Sequence, residues 1–183
     1  IFFAVLIVSL FFFVGCSKKD SNVLTVGATP EPHAAMLKLV EDNLAEEGIT
    51  LKVIDFTDYV TPNEALEGGQ LDANFFQHLP YMDSFNAERG YHLVNAGGIH
   101  IEPVALYSKK ISSVDEIKDG ATIAIPNDPT NEGRALLLLQ SAGLIKLDEN
   151  AGITATPQNI VENPKNIKFH EIEAASLPRV LLD

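Results

Sequence analysis

The sequence predicts an α/β fold with mostly parallel strands. Short strand-like runs and apolar-periodic helical runs take turns from residue 22 onward. Glycine stands at the end of most helical runs, as at Gly48, Gly68, Gly90, Gly120 and Gly143. The rhythm also runs twice, on either side of an extended stretch near Glu102–Lys109. Two such units joined by an extended segment imply two lobes with a cleft between them.

The first pass opens with an apolar strand, Val23–Val26, that ends at Gly27. The turn TPEPH leads into a helix expected over Pro32–Glu47. Met36, Val40 and Leu44 recur every four residues with Leu37 beside them, which predicts one buried face. Thr50–Phe56 alternates as a strand. Thr61-Pro62-Asn63-Glu64 has the form of a capping box with proline at the first helical position. That short helix stops at Gly68-Gly69. Leu71–Phe76 reads as a strand and Pro80–Glu88 as a helix closed by Gly90. Tyr91–Asn95 and Ile99–Tyr107 read as strands around Gly97-Gly98.

The second pass begins at Ser113-Val114-Asp115-Glu116, another capping-box pattern, and its short helix ends at Gly120. Thr122–Ile125 is a buried strand. Asp128 suits an N-cap and Pro129 the first helical position of a helix running to Ser141. The stretch 144–165 is a long polar loop. Asn166–Glu171 is a strand, and Ala174–Leu182 begins an apolar helix. The sequence stops within that pattern, with no Gly or Pro stop signal, so further chain is expected beyond it.

Composition narrows the function. With 46% hydrophobic residues the chain is globular rather than disordered. Its 13 basic and 25 acidic residues give a net charge of −12, without the basic footprint that nucleic acid requires. The first fifteen residues, IFFAVLIVSLFFFVG, carry no charge. They have the length of a signal-peptide apolar region and are short for a membrane span. Cys16 follows directly and is the only cysteine, so it has no internal disulfide partner. Its setting, Val14-Gly15 before polar SKKDSN, resembles a bacterial lipobox in which the thiol is lipidated after cleavage. Phe13 departs from that pattern, where a leucine-like residue is usual. An uncleaved membrane anchor is the alternative, and both readings place the rest of the chain outside the cytoplasmic membrane.

In open α/β sheets, ligands bind beyond the carboxyl ends of strands, where helices begin. Three stretches fall there. In NDPTNEGR, Asn131 and Arg134 are three apart and share a helix face. A cation near a helix N-terminus opposes the dipole, which an arriving anion would reverse, and arginine's fork fits a carboxylate. An ordinary surface salt bridge would also account for Arg134. In FFQHLPY, Phe76 and Tyr81 can wall an apolar slot with His78 as a polar fixed point. Phe75 and Phe76 point to opposite faces of their strand, and either can equally be core. Tyr59 closes DFTDY just past another strand, with an apolar ring and polar hydroxyl suited to a pocket edge.

Catalytic signatures are missing. There is no GxSxG, and Gly27-Ala28-Thr29-Pro30 is not a dinucleotide loop. His33, His78, His92, His100 and His170 show no helix-spaced pairing and no HExxH. His100 and Glu102 share one face of an expected strand, for which strand pairing is the simpler account. No cofactor, metal or catalytic residue is expected. Many polar groups without an activated nucleophile point to binding.

The stretches VGATPEPHAAML, DYVTPNEALEGGQLDANFFQHLPYM, HIEPVALYSKKI, GATIAIPNDPTNEGRALLLLQSAGLI and ENPKNIKFHEIEAASLPR occur in this order. Together, over residues 22–183, they resemble the methionine-binding lipoproteins of bacterial ABC importers, the NlpA lipoprotein family. The resemblance implies a two-lobed, type 2 periplasmic-binding-protein fold that closes on free methionine and delivers it to a permease driven by an ATPase. It divides the chain into a signal peptide (1–15), a lipidated N-terminus and linker (16–22), a first lobe (23–105) and a second lobe (106–183). The second lobe is expected to be truncated here, and the first to be incomplete without the missing C-terminus. Tyr59, Phe76 and Tyr81 would form the slot for the thioether, His78 would lie at the ligand, and Asn131 and Arg134 would hold the carboxylate. Cys16 would carry the lipid that anchors the protein to the membrane, facing the periplasm or cell exterior. A binding protein of the same fold for another small amino acid, or for a methionine-containing dipeptide, is the alternative.

Overall fold

The computed structural model describes residues 22–181. The signal segment, Cys16 and the last two residues lie outside that range. Two parallel sheets form the frame. In the first, β1 (Val23–Ala28) is central, flanked by β2 (Thr50–Asp55) and β3 (Ala73–Phe75), giving the order β2-β1-β3. Val26 pairs with Val53 on one side and Ala73 on the other, so β1 is covered along both edges and most of it is buried. In the second, β4 (Thr122–Pro126) pairs in parallel with β7 (Lys168–Ile172), with Ile123 opposite Phe169.

The helices of the first unit follow the expected order but not every expected boundary. The helix predicted over Pro32–Glu47 is broken. Pro30–Ala34 forms a wide turn with Glu31 extended (φ −126°, ψ 133°), and then α1 (Ala35–Lys38) and α2 (Glu41–Glu46) follow in separate pieces. The four-residue stripe is therefore not continuous: Met36 and Leu44 are half-buried and Val40 is 42% exposed. α3 (Thr61–Glu67) does begin where expected, yet Thr61 makes no side-chain cap. Asp58 replaces it, its carboxylate accepting from the Val60 and Thr61 amides at 2.8 and 2.7 Å. α4 (Leu79–Arg89) ends at Gly90, whose φ of 68° is the left-handed cap position that glycine fills without strain. Tyr91–Tyr107 forms no strand, because no neighbouring strand pairs with it among the described residues.

The second unit holds the larger connected cluster of buried side chains among the described residues. α5 (Pro129–Ser141) has the expected bounds, with Asp128 accepting from the Asn131 amide as N-cap. Its buried face, Leu136 and Leu139, packs with Ile125 of β4 and with Leu144, Ile145 and Ile167. Fully burying each such side chain contributes roughly 1.5–3 kcal/mol. Ser113 caps a short 3₁₀ turn at Val114–Glu116 by accepting from the Asp115 amide, while Glu116 accepts from Ser112. The long loop contains a small antiparallel pair, β5 (Lys146–Leu147) with β6 (Ile160–Glu162), and 3₁₀ turns at Gly152–Thr154 and Pro157–Asn159. Ala174–Val180 is also 3₁₀ rather than α-helical, with Pro178 inside it unable to donate a backbone hydrogen bond. No helix among the described residues is long and apolar enough to cross a membrane.

Candidate functional site

Two helix N-termini open onto one space. His78, at the N-cap of α4, and Thr130 and Asn131, in the first turn of α5, line the same cavity between the two units. Each terminus carries a partial positive charge, although Pro80 and Pro129 have no N–H to offer and the Asn131 amide is already held by Asp128. The cavity measures about 910 Å³ and is lined by all six residues singled out from the sequence: Tyr59, Phe76, His78, Tyr81, Asn131 and Arg134. The two units meet where α4 packs against α5.

Tyr59, Phe76 and Tyr81 form an aromatic group. Their ring centroids lie 5.8 Å (Tyr59–Phe76), 6.1 Å (Phe76–Tyr81) and 6.3 Å (Tyr59–Tyr81) apart, the last two pairs near-perpendicular. These edge-to-face contacts suit the ring quadrupoles. The Tyr81 hydroxyl donates to the Tyr59 carbonyl at 2.9 Å, tying the loop after β2 to α4. Burial raises the pKa of both tyrosine hydroxyls, most at Tyr81, with Glu102 and Asp128 reinforcing it at Tyr59 and Asp128 and Asp58 at Tyr81. Both stay protonated at neutral pH. Phe75 and Phe76 part as strand alternation requires, Phe75 packing on His33 and His100 instead.

The polar side of the cavity belongs to α5. Asn131 donates its amide to both Asp128 oxygens at 3.0 and 3.1 Å. Its own oxygen accepts from Arg134 Nη1 at 3.0 Å. Arg134 also donates through Nη2 to the Glu102 carbonyl at 2.7 Å. Asn131 is thus engaged in orienting Arg134. Arg134 stands in the second turn of α5 rather than the first, so the dipole opposes it little, since that effect fades within one turn. His78 faces this pair. Burial lowers its pKa first, and the Arg134 charge lowers it further against a smaller opposing pull from Asp128. His78 Nε2 is buried and lacks a hydrogen-bond partner among the described residues. Such an atom costs free energy until a partner arrives.

Sequence reasoning missed the layer beneath the slot. Asn63, fully buried, exchanges amide hydrogen bonds with Gln77 at 2.9 and 2.8 Å and accepts from Asn74 at 2.8 Å. This amide cluster braces the FFQH turn that carries Phe76 and His78. Only the density of Asn and Gln in TPNEA and DANFFQ hinted at it. A second group also line the cavity: His33, His100 and Glu102, from two separate stretches of chain.

The family model described as NlpA lipoprotein matches residues 24–183. The probable D-methionine-binding lipoprotein MetQ of Vibrio cholerae is 49% identical over 172 residues, covering 92% of this chain and 64% of that protein. The crystal structure of the methionine-binding protein MetQ superposes with a TM-score of 0.87 at 47% identity, covering 90% of this chain and 67% of that one. A nutrient-binding protein from Burkholderia cenocepacia bound to methionine gives 0.82 at 50% identity, covering 87% and 68%. The two-lobed substrate-binding-protein fold expected from the sequence is therefore the fold of this chain. The chain spans about 64% of the length of the curated relatives it matches.

Proposed function

Because this chain belongs to the NlpA lipoprotein family, we propose that it is the extracytoplasmic substrate-binding component of an ABC importer, taking methionine in the cleft between its lobes. The lobes divide near residue 105. The observation that carries this reading is one cavity with an aromatic wall on one side and an asparagine-oriented arginine on the other. Tyr59, Phe76 and Tyr81 receive the thioether, where sulfur–aromatic contacts contribute roughly 0.3–1.5 kcal/mol. Arg134, held by Asn131 beside the α5 N-terminus, takes the carboxylate with a forked pair of donors. His78 Nε2 finds in the ligand the partner it otherwise lacks. Binding, not catalysis, is the role of these groups. Cys16 carries the lipid anchor, the protein faces the periplasm or cell exterior, and a permease with its ATPase receives the ligand.

Calorimetric titration of the intact protein with L- and D-methionine tests this. One ligand per chain is expected with at least one enantiomer. Arg134→Ala removes charge-assisted hydrogen bonds of about 1.5–3 kcal/mol, which corresponds to roughly 10- to 150-fold weaker binding. No heat with either enantiomer excludes methionine, and unchanged affinity in Arg134→Ala removes that residue from the site.

A further inference from the structure

His33, His100 and Glu102 converge on the same cleft, apart from the aromatic slot. His33 follows β1 in the turn Pro30–Ala34, while His100 and Glu102 come from the extended stretch after α4. One ligand atom from each residue fits within a span of 4.8 Å. Glu102 Oε1 is 2.9 Å from His100 Nε2 and 3.6 Å from His33 Nε2. A zinc-class ion bound tetrahedrally at about 2.0–2.2 Å from nitrogen and oxygen sets neighbouring ligand atoms roughly 3.3 Å apart. The two observed separations bracket that spacing.

The surroundings resemble those of a ligating histidine. His33 is 5% exposed, and its Nδ1 lies 2.6 Å from Thr29 Oγ1. A metal-bound imidazole characteristically uses its other nitrogen in this way, which fixes ring orientation. Phe75 packs edge-on against both imidazoles, at 4.7 and 5.6 Å between centroids, and the two imidazoles lie 5.2 Å apart. With Thr29 accepting from Nδ1–H, the His33 Nε2 lone pair faces a carboxylate oxygen. A cation between them converts two opposed acceptors into two ligands.

We propose that His33, His100 and Glu102 form a binding site for one divalent transition-metal ion of the zinc class, with its remaining coordination open to the cleft. Two imidazoles and one carboxylate select borderline metals over calcium or magnesium, which favour all-oxygen shells. The site joins the turn after β1 to the segment whose Glu102 carbonyl holds Arg134, using a different atom of the same residue.

Titrating the intact, metal-stripped protein with Zn²⁺ in the absence of methionine tests the site independently of the methionine reading. One equivalent of Zn²⁺ is expected, and Co²⁺ in its place should give the visible absorption of a low-coordinate nitrogen–oxygen site. His100→Gln lies on an accessible side chain and should weaken Zn²⁺ binding by at least ~10-fold with an unchanged circular dichroism spectrum. Glu102→Gln should do the same. His92→Gln, at the separate exposed His92–Glu67 pair, should leave the affinity intact. Absence of Zn²⁺ binding, equal binding by His100→Gln, or loss of binding in His92→Gln would each overturn the assignment.

Discussion

Glu132 shows how far one residue can stand apart from its helix. It is 6% exposed, and its Oε1 lacks a hydrogen-bond partner among the described residues. Burial raises its pKa to about 7, with Glu171 and Asp128 adding to the effect. The folded-state value lies above the unfolded one, so its contribution is complete below the ordinary carboxylate range and is lost as pH rises through about 7. Chemical denaturation at pH near 6 and near 8 should find the wild-type protein less stable at the higher pH. Glu132→Gln should remove most of that difference, about 1.4 kcal/mol for a group titrating near 7 between those two pH values; an equal loss in the variant excludes Glu132 as its source. His78 works in the other window. Its pKa is depressed, so its contribution is present above the ordinary histidine value and lost as pH falls through the folded one. Asn131 and Arg134 were legible in the sequence because a strand end, an N-cap and a three-residue spacing coincide. Glu132 sits between them and was not, because burial of a carboxylate depends on which strand α5 lies against.

The helices record the same division between local and tertiary causes. α5 was legible to the residue because Asp128 caps it and Pro129 opens it, both local signals. The cap of α3 was misread, since Asp58 reaches the helix start from three residues upstream of Thr61 and leaves the Thr61 hydroxyl unused as a cap. The strands expected over 91–107 needed a partner that no single-segment pattern can reveal. Gly133 illustrates a constraint read only from packing. A Cβ at this position would collide with the Ile153 carbonyl oxygen and sit 3.1 Å from the Ala155 amide nitrogen, because the 3₁₀ turn at Gly152–Thr154 lies directly on α5. Alanine favours an isolated helix over glycine by about 1 kcal/mol, so propensity alone predicts that Gly133→Ala stabilises. Overpacking costs typically ~1–3 kcal/mol and the obstructing atoms are backbone. We therefore expect Gly133→Ala to lower the unfolding midpoint in a thermal melt. A raised midpoint would mean that the 152–154 turn moves away freely.

At the scale of the molecule, each unit supplies both packing and part of the cavity wall. The core around Leu136, Leu139 and Ile125 belongs to the second unit, while the aromatic cluster of the first is Phe76, Tyr81 and Phe85 with Tyr59 and Tyr91 against it. That second cluster therefore serves both packing and the cavity wall. Its slot and the Arg134 fork come from different units, so a ligand contacting both would tie the units together. On the proposed function, methionine bound in this way is expected to draw the lobes inward and exclude water from the cleft, which strengthens each polar contact. Small-angle scattering of the intact protein should then give a smaller radius of gyration at saturating methionine than without it. Hydrogen exchange at the first turns of α4 and α5 should slow in parallel, because ligand and opposing wall cover their amides. Arg134→Ala should lose both changes at a methionine concentration that saturates the wild type. An unchanged radius with slowed exchange would place the ligand in a cleft that is already closed; neither change at saturation would show that methionine does not bridge the two units.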